Sequence, residues 1–258
     1  MFKRSGLAVI LLLTPFTLGA QQIEFERVLF PISAPQVPGA YGSTWVTEQF
    51  VRNDGTTPVQ MTRDDCSELV CLVSIPPGTT FQAAPAATKD RLWLSVEKSK
   101  IDQMFFSTVV RDIGKSIEPW GTTIPAVRET EFRSGKVQLI NVPGDPTFRK
   151  TLRIYLIPVL VAGQDAQVTL AVRIFDLDAE LNGPSRMLAE RTYTARNTPL
   201  QQKLDYLPIF DLATDFPTLS SVTRVRVEVE RVGGLQSTLW ALLSVTNNST
   251  QHVTIFTP

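Results

Sequence analysis

The 258-residue chain balances 25 basic against 25 acidic residues and carries one histidine and two cysteines. No basic excess is left for phosphate contacts, so nucleic acid is not an implied partner. At 43% hydrophobic side chains the chain can bury a sizeable core, in one large or two ordinary domains.

The N-terminus begins with Lys3 and Arg4, continues through an apolar run from Gly6 to Leu13, and reaches the small-residue ending Leu18-Gly19-Ala20. This pattern predicts a cleavable signal peptide over residues 1–20. The run is broken by Pro15 and falls short of the roughly 20 residues that span a bilayer, and no later stretch competes. Gln21 and Gln22 follow, so no cysteine stands ready for lipid attachment. The expectation is a secreted or periplasmic protein with no membrane span after cleavage, and with the acidic residues in slight excess once Lys3 and Arg4 are gone.

From there the dominant signal is apolar and polar alternation over short runs, the period of a strand. It places strands at Trp45–Arg52, Val59–Arg63, Leu92–Glu97, Met104–Asp112, Lys136–Val142, Leu152–Leu160, Val168–Phe175, Met187–Ala195, Leu200–Tyr206, Arg224–Val232, Leu239–Thr246 and Val253–Phe256. Prolines and glycines fall between them, as in Asn53-Asp54-Gly55, Pro76-Pro77-Gly78 and Val232-Gly233-Gly234. The stretch from Trp45 is echoed from Arg149, and the stretch from Phe105 is echoed from Trp240. The reading is all-β: two tandem Ig-like or jelly-roll-like antiparallel β-sandwich domains, over residues 21–145 and 146–258, divided at Pro143-Gly144-Asp145-Pro146.

Cys66 and Cys71 are separated by four residues, in a chain directed to an oxidising compartment. They read as a local disulfide, because zinc needs two further His or Cys ligands and the spacing is not that of a Cys-x-x-Cys redox pair.

Val37–Thr47, Phe148–Arg153, Val168–Phe175 followed by Asp176, and Trp240–Asn248 with Thr250 resemble elements of tandem β-sandwich proteins secreted by environmental bacteria, notably acidobacteria. The shared pattern is a Gly-rich entry, an Arg-Thr opening strand, an Asp-Gly type hairpin, replaced here by Asn182-Gly183, and a closing Ser-Val-x-Asn-x-Thr strand. The resemblance implies the fold and an extracellular location, and it carries no assigned chemistry.

Catalytic motifs are missing. There is no Gly-x-Ser-x-Gly elbow, phosphate loop, dinucleotide fingerprint or metalloprotease His pair, and no cofactor is expected. His252 would have to serve any Ser-His or Cys-His arrangement, and it reads as a strand-edge residue. Asp205, Asp211 and Asp215 lie in an apolar stretch and are the carboxylates that a hydrolase, including a carbohydrate-active one, would use. Asp176, Asp178 and Glu180 alternate in one polar turn and invite a weak calcium reading. The EF-hand positions for Gly and Glu are filled by Leu181 and Met187, so a hairpin turn is expected and no metal. Asn247-Asn248-Ser249-Thr250 is expected to be a turn as well.

Binding rests on aromatics. Trp45, Trp93 and Trp240 fall inside apolar strands and read as core. Trp120 and Tyr41 sit among Pro and Gly, where a ring is free to stack on a sugar, anchor a protein interface or cover the junction between domains. The sequence therefore points to a non-catalytic module that contacts a polysaccharide or an envelope protein. The alternatives are a hydrolase and a protein that self-assembles through open strand edges.

Overall fold

The computed structural model describes residues 23–64, 72–84, 90–114, 120–159, 167–196 and 205–258. The signal peptide expected over 1–20 and the disulfide expected between Cys66 and Cys71 lie outside the described residues. In chain order the first half carries β1 (Phe25–Phe30), β2 (Val37–Pro38), β3 (Thr44–Asn53), β4 (Val59–Arg63), β5 (Val73–Ile75), β6 (Thr80–Ala83), β7 (Leu92–Glu97), β8 (Met104–Asp112), β9 (Thr122–Ile124) and β10 (Val127–Arg128). The second half carries β11 (Lys136–Pro143), β12 (Phe148–Pro158), β13 (Gln167–Asp176), a helical turn α1 (Leu177–Asn182), β14 (Arg186–Arg196), β15 (Tyr206–Ile209), a second turn α2 (Leu212–Asp215), β16 (Arg224–Gly234), β17 (Ser237–Asn247) and β18 (Val253–Phe256).

These strands build four antiparallel sheets that pack in pairs. In the first half, β10-β1-β7-β4-β5 faces β2-β3-β8-β9, with β6 sharing the second edge of β3. In the second, β11-β16-β13-β14 faces β15-β12-β17-β18. Laid side by side, β1-β7-β4-β5 matches β11-β16-β13-β14, and β6-β3-β8-β9 matches β15-β12-β17-β18. The echo in the sequence is therefore a repeat of strand order: β3 pairs with β8 from Trp45↔Asp112 to Asn53↔Met104, and β12 with β17 from Phe148↔Asn247 to Pro158↔Ser237. β3 also pairs with β6, and β4 with β7.

Each sandwich has its own core. Val28, Phe30, Val51, Met61, Leu92, Leu94 and Val96 fill the first, and Leu139, Leu152, Ile154, Leu170, Ile174, Val227 and Leu243 lie in the second. Residues 136–143 precede the boundary expected at Asp145, yet β11 pairs with β16 and its Val137 and Leu139 enter the second core. The Pro-Gly segment after β11 is clamped from within. Lys150 is fully buried and donates its Nζ to the carbonyls of Gly144 (3.3 Å), Asp145 (2.7 Å) and Phe148 (3.0 Å). Burial lowers its pKa.

β16 shows how alternation becomes a sheet. Val225, Val227 and Val229 are buried in the core, while Arg226 and Glu228 on the outer face are covered by other charges. Glu228 meets Lys136, Arg173 and Arg226, and accepts a hydrogen bond from Gln138. β17 is different, because almost all of it is buried. Leu239, Ala241, Leu243 and Val245 serve the second core, whereas Trp240 and Leu242 point the other way into a third cluster. That cluster joins the outer face of the β12–β17 sheet to Leu29 and Trp93 on the outer face of the β1–β7 sheet, with Tyr155, Val110, Ile124 and Phe132 completing it. A strand covered on both faces reads as a continuous apolar run, as Leu239–Leu243 does. The edge strand β14 carries Arg186, Glu190, Arg191 and Arg196, charges that discourage further strand pairing.

Two stability changes follow. Trp240→Ala removes a ring packed against Tyr155 at 5.8 Å between centroids, and should lower unfolding free energy by about 3–5 kcal/mol in urea melts. Burial alone would raise the Glu228 carboxyl, but hydrogen bonds from Gln138, Lys136 and Arg173 outweigh it and hold its pKa at about 2 against an ordinary 4.5. A depressed carboxylate pKa gives stability that is complete above the unfolded value and is lost as pH falls toward the folded one. Between about pH 5 and pH 2, wild type should lose up to roughly 3 kcal/mol that Glu228→Gln does not lose.

Candidate functional site

Where the two sandwiches meet, the outer face of the β12–β17 sheet is only half covered. Tyr155, Trp240 and Leu242 are packed beneath the first half, while Arg149, Thr151, Arg153, Ser244 and Thr246 form one wall of an open cleft of about 470 Å3. The opposite wall comes from the chain leading into β3: Ile32, Ala34, Val37, Pro38 and Trp45. Phe210 and Asp211, after β15, close one side.

The local sequence explains how this second wall is shaped. Gly39 lies against Trp45, so that a Cβ there would come within 2.4 Å of Trp45 Nε1. Tyr41 follows in the left-handed region at φ 57°, a conformation a side-chain-bearing residue adopts at a cost of about 1–2 kcal/mol. The turn sends its ring out over Arg149, whose guanidinium carbon lies 5.2 Å from the ring centroid. This is cation–π geometry across the two halves.

Further contacts fix the junction that holds the cleft open. Arg91, buried at 4% exposure, forms a two-point ion pair with Asp205, and Trp93 Nε1 donates to Asp205 Oδ2 at 3.2 Å. Arg91 also lies over the Tyr206 ring at 5.0 Å. The Tyr155 hydroxyl donates to the Pro31 carbonyl, and burial pushes its pKa well above the ordinary value. Thr122 Oγ1 donates to the Val253 carbonyl at 3.1 Å, and Arg133 exchanges backbone hydrogen bonds with Leu239.

The candidate residues from the sequence fall into three groups. Tyr41, 58% exposed, stands beside the cleft, and Trp120, 84% exposed, lies two residues before the Thr122 that bonds Val253 of the cleft lining. The carboxylates are engaged structurally. Asp205 is the junction clamp, Asp211 caps α2 by accepting from Ala213 N, Thr214 N and Thr214 Oγ1, and Asp215 accepts from Arg191 and Tyr193. The Thr214 hydrogen bonds hold Asp211 below its ordinary pKa, while burial and Asp215 keep Tyr193 above its own. In the turn read weakly for calcium, each carboxylate faces an arginine: Asp176 meets Arg186, Asp178 meets Arg224 and Glu180 meets Arg226. Asp176 also caps α1 through Ala179 N, so this segment is a helical turn where a hairpin turn was expected. His252 is exposed at the start of β18. The Asn247 side chain closes the turn over Ser249 and Thr250.

Arg149, Arg153 and Phe210 are not singled out as binding residues by the sequence. Alternate arginines on a strand read as a solvated face, and only the half-covered sheet turns that face into a wall.

Compared with protein-family models, curated proteins and solved structures, the chain matches none. Among the described residues no helix is long and apolar enough to cross a membrane.

Removing the clamp should show how far the cleft depends on it. Asp205→Ala leaves Arg91 buried without its carboxylate, and should cost about 3–5 kcal/mol in chemical unfolding, against under about 1 kcal/mol for breaking the exposed Lys98–Glu24 pair with Glu24→Ala.

Proposed function

We propose that the protein is a secreted, non-catalytic binding module that holds a polysaccharide of the cell surface or its surroundings in the cleft between its sandwiches. The observation that carries this reading is the crowding of uncovered apolar and aromatic side chains at the cleft. Phe210 is 66% exposed, and Val37 and Tyr41 are also exposed, while Trp45 stands in the wall. A soluble protein leaves such rings together in the open where something else covers them. Flat rings beside hydroxyl and guanidinium groups suit the two characters of a sugar, an apolar face and a polar edge. The leader over 1–20 and the resemblance to secreted sandwich proteins support the extracellular setting.

Purified residues 21–258 should be retained on at least one insoluble polysaccharide or envelope fraction. Tyr41→Ala and Phe210→Ala alter exposed side chains, so folding should hold while retention falls by roughly tenfold or more. Trp120→Ala, farther along the same junction, should reduce retention less. No retention on any material, or release of soluble sugar from one, would overturn the reading.

A further inference from the structure

We infer that the cleft selects an acidic glycan, one that carries carboxylate or sulfate groups, through Arg149 and Arg153; this rests on the cleft being the binding site. Elsewhere the chain matches many of its arginines to carboxylates: Arg91, Arg128, Arg173, Arg186, Arg224 and Arg226 each face one or more. Arg149 and Arg153 are not matched in this way among the described residues, nor are Arg133, Arg196 and Arg231; what sets the first two apart is that they share one wall of the cleft. Among the described residues, Arg149 donates to the neutral Gln251 Oε1 at 2.8 Å and lies over the Tyr41 ring, and Arg153 donates to the Ser244 hydroxyl at 2.9 Å. The buried Nε–H of Arg153 has no acceptor among the described residues. Neither guanidinium has a carboxylate partner there.

The lining also holds two carboxylates, Asp211 and Asp90, and among the described residues neither is paired with Arg149 or Arg153. The Asp211 carboxylate is engaged by the N-terminal amides of α2 and the Thr214 hydroxyl. Asp90 belongs to the first half and is exposed. The cleft thus presents two cations whose polar partners on the protein are neutral. A guanidinium removed from bulk water gains most from an anion that accepts two parallel N–H bonds, which a carboxylate or sulfate oxygen pair does.

Spacing favours an extended, repeating ligand. Arg149 and Arg153 project from the same face of β12, four residues apart, so their Cα atoms are separated by about 13 Å along the strand. A single small anion does not reach both. A chain with an acidic group at intervals does, and between them it meets Thr151, with Trp45 and Phe210 available for its apolar faces. These rings are why a glycan is favoured over an acidic peptide.

Affinity electrophoresis of the full mature chain through gels holding polygalacturonate, dextran sulfate, neutral dextran or polyglutamate tests this. The mobility of wild type should fall with polygalacturonate or dextran sulfate, the two arms separating a carboxylate from a sulfate ligand, and not with dextran. Arg149→Gln and Arg153→Gln should each weaken binding by roughly tenfold or more. The wild-type interaction should also weaken as salt rises from 50 to 500 mM, a reading independent of whether either variant folds. Acidic-glycan binding insensitive to salt or to both substitutions would overturn the inference. Equal retardation by dextran, lost in Tyr41→Ala, would overturn charge selection and leave the cleft as the site. Arginine-dependent retardation by polyglutamate as strong as by the glycans would overturn the glycan class. Retardation by none of the four, with the protein still retained on an insoluble polysaccharide in a Tyr41-dependent way, would overturn the acidic ligand alone; with no retention there either, the cleft reading falls as well.

Discussion

The packing of Trp240 and Tyr155 against the first sandwich is the contact on which the arrangement depends. Tyr155 stacks on Tyr206 at 5.3 Å, meets Trp240 at 5.8 Å, and donates its hydroxyl to the carbonyl of Pro31. One fully buried phenol therefore supplies apolar area to the joint and satisfies a backbone carbonyl at the root of the chain that forms the far wall of the cleft. Arg91 and Asp205 reinforce the same joint with charge. Because Asp205 and Trp93 share a hydrogen bond as well, the ionic and aromatic parts hold one another in place.

The cleft is a consequence of uneven coverage. Along β12 the residues facing the first half change from Arg149, Thr151 and Arg153 to Tyr155 and Ile157, and the buried part coincides with the aromatic end. Burying the arginine end equally would strand cations in a dry interface, at a cost that the aromatic contacts would have to offset. The sandwiches touch where the sheet is apolar and part where it is charged. A binding wall arises from a break in amphipathic pattern along a single strand.

Much of the fold was legible because alternation is a direct imprint of a half-buried sheet. β4, β7, β8 and β18 lie where the period of two puts them, and the echo between Trp45 and Arg149 corresponds to equivalent strands. The shortest strands, β2, β5, β9 and β10, run for two or three residues, too few to contain a period to detect. β1 was missed although Val28 and Phe30 enter the core, because Leu29 between them is apolar too, being buried against the other sandwich. The site was less legible than the scaffold. Pro and Gly neighbours marked Tyr41 and Trp120 as exposed rings, but whether Arg149 and Arg153 face water or a wall is decided by which half of a sheet a second sandwich covers.

The two halves repeat one strand order, yet they meet through unlike faces: the β1–β7 side of one against the β12–β17 side of the next. Such head-to-tail stacking has no built-in end, since a third copy could sit on the second as the second sits on the first. The face of the second half that would receive it carries Gln138, Arg173, Arg226, Glu228 and Glu230 in place of a Leu29 and Trp93 pair. The opposite end of the stack presents Glu48 paired with Arg111 beside the exposed Phe105 and the half-buried Phe50. The ionic lattice on the last sheet therefore offers a further copy no apolar surface like the one on which the second half rests.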